Sequence, residues 1–149
     1  MKLAEALQER ADLNRRIQQL RTRLLDNALV QEGERTAEDP ASLMSEYDAA
    51  MAALEEITAK INLANCNTTV DGKSLTELIA KRDALTQRLK TYRDLAQAAS
   101  RPYHRAARSE IKILSAVDVK ELQKRADRAA KELRVLDNAI QQTNWTADL

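Results

Sequence analysis

The chain has 149 residues, 32% of them charged and 3% aromatic, with no Phe and a formal net charge of +1. That length fits one domain, residues 1–149. Leu, Ile and Ala dominate the apolar content, the composition of long helices with narrow apolar seams rather than of an aromatic-rich core. A near-neutral total argues against a uniformly basic nucleic-acid binder, and no nucleic acid is expected as partner.

The opening "MKLAEALQERADL" carries charges within its first ten residues. It lacks the continuous apolar run of a secretory signal, so a cytoplasmic protein is expected. From there Leu13, Ile17, Leu20 and Leu24 recur at spacings of 4, 3 and 4, the seam of a first helix. Arg10 falls on the same seam. Arginines along this helix are diluted by Glu5, Glu9, Asp12 and Asp26 and lack interleaved aromatics for base stacking, so they read as a solvated face.

The first connection, "NALVQEGERTAEDP", is acidic. Asp39-Pro40 puts a capping carboxylate before a proline at the first helical position. A second helix follows, with Met44, Tyr47, Met51, Leu54, Thr58 and Ile61 as its seam. Residues 31–58 hold eight acidic side chains and one basic. Cys66 stands alone, which excludes an internal disulfide and a multi-cysteine metal site. Its sequence neighbours Asn65 and Asn67 give it no activation, and it reads as a structural thiol.

"NTTVDGKS" contains Asp71-Gly72, the signal for a tight hairpin with a residue or two of strand on each side. Ser74-Leu75-Thr76-Glu77 then reads as a capping box. The third helix places Leu75, Leu78, Arg82, Leu85, Leu89, Tyr92, Ala96 and Ala99 on one stripe. Arg82 stands where an apolar residue is expected. Pairing with a carboxylate across an interface, fixing register, is the favoured reading over an internal polar pocket.

The third connection is the longest and contains "RPYHRAARSEIKIL". It gathers Arg101, His104, Arg105, Arg108 and Lys112, and residues 81–112 hold nine basic side chains against three acidic. Loops of this length in a helical protein are uncommon and are usually functional or disordered. Ile111 and Ile113 alternate with Glu110 and Lys112, which predicts a short strand near residues 110–114. Asp118-Val119-Lys120-Glu121 reads as another capping box. The fourth helix carries Leu122, Ala126, Ala129, Leu133, Leu136 and Ile140, with Trp145 expected to pack as an anchor at its end.

The fold class expected is therefore all-α: four long helices in antiparallel hairpins, as a bundle or coiled coil. If the helices alternate in direction, the acidic first loop and the basic third loop share one end. There His104, Arg105, Arg108 and Lys112 could bind a small anionic ligand, with Glu110 orienting an arginine. The simpler reading has the two loops clasp each other. Glu32, Glu34, Glu38 and Asp39 match no metal-binding spacing, and neither a metal nor a cofactor is expected. No window is apolar for the ~20 residues that span a bilayer. No nucleophile pattern or phosphate loop is present, and no catalytic residue is assigned.

The segments "MKLAEAL", "RADL", "VQEG", "EDP", "DGKSLTELIAKRD", "RSEIK", "VDVKELQK" and "NWT", in that order, resemble the septicolysin-like family of small bacterial proteins. The resemblance covers nearly the whole chain. It implies a helical fold and draws attention to residues 108–112, and the family's name implies a membrane-active lysin. It carries no catalytic residues onto this chain. From the residues themselves, the leading expectation is an oligomeric helical scaffold or binding protein without catalytic activity, with Arg82, Leu20 and Leu133 at interface or register positions. The alternative is an enzyme or anion-binding protein with its site in residues 101–112.

Overall fold

A computed structural model describes residues 1–100 and 111–149. The described residues form α1 (Leu3–Asp26), α2 (Pro40–Asn67), β1 (Thr69–Val70), β2 (Lys73–Ser74), α3 (Leu75–Ser100) and α4 (Val119–Thr146). The fold is all-α apart from one small antiparallel hairpin, in which Thr69 faces Ser74 and Val70 faces Lys73. Two compact units divide the chain. The first comprises residues 1–75 with 142–149, and the second residues 76–141.

In the first unit α1 and α2 run antiparallel. Arg23 reaches Glu38 near one end of the pair, and Arg16 reaches Glu46 further along. Ile17, Leu20, Leu43 and Ala50 form the shared core, with Leu24, Tyr47 and Leu54 packed against it. One buried and half-buried row of α1 runs Leu3, Ala6, Arg10, Leu13, Ile17, Leu20 and Leu24 and continues to Asn27 at the helix end, with Ala4, Leu7 and Ala11 half-buried beside its first turns. The row is an unbroken alternation of three and four residues, the repeat of a coiled-coil seam. Leu20 is 1% exposed, so its partners lie within its own chain.

The stripe that α2 buries differs from the expected one. It runs Leu43, Tyr47, Ala50, Leu54, Ile57 and Ile61. Met44 and Met51 stand outside, 50% and 39% exposed, and Thr58 is half-buried. The two stripes share Tyr47, Leu54 and Ile61. The choice between them falls to packing against α1, where small Ala50 admits a close approach that long Met51 would block.

Local chemistry sets the ends of these elements. Asp39 accepts a hydrogen bond from the Ala41 N–H at 3.2 Å, with Pro40 opening the helix. The Glu5 carboxylate accepts from the Lys2 N–H at 2.6 Å. Asp118 accepts from the Glu121 N–H at 3.1 Å and caps α4. In the hairpin both Asp71 (φ 50°) and Gly72 (φ 79°) are left-handed. That is the backbone of a two-residue turn matched to strand twist, and it explains the Asp-Gly pair.

In the second unit α3 and α4 also run antiparallel. Lys81 pairs with Glu132 at 2.7 Å. Leu89 packs with Ala126 and Ala129, flanked by Tyr92, Ala130 and Leu133. The expected stripes of both helices are buried or half-buried throughout. Leu133 is half-buried at the edge of this core.

Two local expectations are corrected. Residues 111–114 form no strand, and Ile111, Ile113 and Leu114 are exposed. Alternation makes a strand only when an edge is available to pair with; the strand ladder among the described residues joins β1 to β2. Trp145 is 65% exposed rather than a buried anchor. The anchoring at that end is done by backbone. The Leu3 N–H donates to the Ala147 carbonyl at 3.0 Å, and the Leu149 N–H to the Met1 carbonyl at 2.9 Å. The Lys2 ammonium adds a bond to the Thr146 carbonyl and an ion pair with Asp148.

Candidate functional site

Of the five residues assigned to an anion site, His104, Arg105, Arg108 and Glu110 lie outside the described residues. Lys112 is exposed. The acidic loop expected to meet them has an engagement of its own. The Arg23 guanidinium grips the Glu38 carboxylate through Nε, 2.9 Å from Oε2, and through Nη2. Beside it, buried Asn27 donates from Nδ2 to the Arg23 carbonyl at 2.8 Å and accepts the Glu38 N–H on Oδ1 at 3.0 Å. Thr36 Oγ1 donates to the Glu38 carbonyl at 2.6 Å. The end of α1 is thus tied to the start of α2 within one unit. Asn27 was missed by sequence reasoning; its signal is its place one turn beyond Leu24 on the α1 repeat.

These ion pairs have an electrostatic signature. The hydrogen bond from Arg23, with its charge, holds the Glu38 carboxyl below its usual value. Lys2 does the same for Asp148, and Lys81 for Glu132. A carboxylate whose folded pKa is depressed contributes stability above its unfolded pKa, and that contribution is lost as pH falls through the folded value. The melting temperature should be flat from about pH 7 to 5 and fall below about pH 4, where carboxylates protonate. Arg23→Met should flatten part of that fall, and an unchanged acid limb in this variant would refute the assignment.

Arg82 is half-buried and pairs with Asp83, its neighbour on the same helix, with Nη2 3.0 Å from Oδ1. It lines a shallow groove of about 380 Å³ beside Thr86, Leu89, Leu133, Arg134 and Asp137. A second depression, about 390 Å³, sets the Trp145 indole among Glu5, Gln8, Glu9 and Asp12 of α1. Among the described residues no group of three His, Cys, Asp or Glu side chains is placed to hold a metal ion.

The larger features are two helix faces. The outward side of α2 displays Met44, Asp48, Met51, Glu55 and Ala59. The outward side of α4 displays Lys120, Lys124, Arg128, Lys131 and Val135. One is apolar and acidic, the other predominantly basic.

Residues 10–149 match a protein family described as "Family of unknown function (DUF6847)". The chain belongs to this family. The chain is also similar to a solved structure described as that of a functionally unknown conserved protein from Corynebacterium diphtheriae, with 39% identity and a TM-score of 0.93. The match covers 100% of this chain and 98% of that one. No curated protein matches this chain. Among the described residues no helix is long and apolar enough to cross a membrane.

Proposed function

We propose that this chain is a self-associating helical scaffold or binding protein that works by contact rather than by catalysis. The observation that carries this reading is the second apolar side of α2. The helix already buries Leu43, Tyr47, Ala50, Leu54, Ile57 and Ile61 to some degree, yet it leaves Met44, Met51 and Leu63 exposed. Long flexible methionines on an outward face suit a contact surface, because they adapt to a partner's shape. Apolar patches of this kind mark interaction sites on soluble proteins. The lysin reading rests on the name of the septicolysin-like family, and no described helix adds support to it.

Light scattering coupled to size exclusion, at about 50 µM and low salt, tests the proposal. A mass of two or more chains is expected. A monomer across the accessible concentration range overturns self-association.

A further inference from the structure

We infer that the acidic face of α2 docks against the basic face of α4 from a second copy of the chain, antiparallel, with Asp48 against Lys131 and Glu55 against Lys124. This deepens the proposal of self-association and rests on it.

The argument starts from spacing. On α2, Met44, Asp48, Met51 and Glu55 follow one another at 4, 3 and 4 residues. On α4, Lys124, Arg128, Lys131 and Val135 do the same. Residues at such spacings share one side of a helix, and two such rows can interlock. All eight are exposed. Each row runs over twelve residues, about 16 Å of helix from first to last at ~1.5 Å per residue.

Laid antiparallel, the rows match at every position. Met44 meets Val135, Asp48 meets Lys131, Met51 meets the aliphatic stem of Arg128, and Glu55 meets Lys124. Apolar side chains fall opposite apolar surface and carboxylates opposite ammonium groups. Ala59 falls opposite Lys120, so a small residue gives room to a long one. No other pairing of these faces offers this. Two α2 faces laid the same way would set Asp48 against Met51 and Glu55 against Met44, and two α4 faces would set Arg128 against Lys131, so neither brings opposite charges together.

The charges are also available. Several other charges of these helices are engaged: Glu46 by Arg16, Glu56 by Lys60, Glu132 by Lys81, and Glu121 by Arg125 and Arg128. Among the described residues none of Asp48, Glu55, Lys124 and Lys131 forms an ion pair. Exposed ion pairs stabilise little by themselves. At an interface their larger effect is on partner choice and register, with burial of Met44, Met51 and Val135 supplying the attraction.

Charge reversal tests the pairing. Sedimentation velocity on the full chain should show that Lys124→Glu with Lys131→Glu weakens self-association at least about tenfold. Adding Asp48→Lys and Glu55→Lys to the same chain should restore it to within about threefold of wild type. All four sites are exposed, so the melting temperature should move little, and circular dichroism checks that each variant is folded. Raising salt from about 0.05 to 0.5 M should weaken the wild type, because opposed exposed charges are screened.

The failures are separable. A wild type that is monomeric at low salt overturns self-association and this interface together. A wild-type oligomer that the double reversal leaves intact overturns the interface while self-association stands. Reversal without rescue also overturns the pairing, since α4 would then meet something other than Asp48 and Glu55. If the wild type is monomeric and binds a labelled RNA or DNA duplex through Lys124 and Lys131, the basic face serves a nucleic acid, and the inference is wrong.

Discussion

Leu20→Glu is expected to unfold the α1–α2 unit at room temperature or leave it barely stable. Leu20 is 1% exposed and packs with Ile17, Leu43 and Ala50. Truncation to Ala at such a site costs about 2–5 kcal/mol through lost burial and the cavity left behind. A carboxylate adds the cost of placing a charge where nothing compensates it. Total stabilities of small domains are about 5–15 kcal/mol, so one such change removes a large share. Leu29→Glu is the control. Leu29 is 91% exposed, and its replacement should stay within about 0.5 kcal/mol. Urea titration followed by circular dichroism compares the two. Equal midpoints for both variants would show that Leu20 is not where the unit's stability is concentrated.

Asn27→Ala should cost about 1–3 kcal/mol, a large effect for one amide in a loop. The residue is 7% exposed and serves two partners at once, the Arg23 carbonyl and the Glu38 N–H. Removing it takes the side-chain acceptor from the Glu38 N–H, while the Arg23 carbonyl keeps the backbone N–H of residue 27 at 3.1 Å. Arg23 grips the same Glu38 through the side chain, so the two contacts hold one piece of chain. A double-mutant cycle of Asn27→Ala and Arg23→Ala should therefore show coupling of at least about 0.5 kcal/mol. Strict additivity would mean that the two contacts act independently.

What could be read from the residues alone follows from how many ways each segment can pack. The stripes of α1, α3 and α4 are flanked mostly by polar residues, so periodicity favours one register, and the structure uses it. Along α2, alanines and methionines surround the stripe, and two registers satisfy the pattern equally. Only contact with α1 decides between Met51 and Ala50. Asp71-Gly72 was legible because left-handed backbone at consecutive positions demands small or turn-forming residues. The exposure of Trp145 was not, because it depends on backbone bonds between residues 1–3 and 147–149, a non-local contact that no spacing announces. The acidic surplus of residues 31–58 was visible in the sequence, but the basic row of α4 was not, because the basic surplus read there lies in residues 81–112. The matching rows of α2 and α4 became legible only when the buried side of each helix was fixed.

The join between the two ends of the chain has a consequence for synthesis. The first unit is assembled from residues 1–75 and 142–149, so its second part leaves the ribosome well after its first. At about 5–20 residues per second the intervening segment takes several seconds to make. Throughout that interval α1 and α2 can pair, but the Leu3 N–H and the Met1 carbonyl wait for Ala147 and Leu149. The α1–α2 pair thus stays open at that end until residues 147–149 emerge, and whatever depends on the closed join can begin only then.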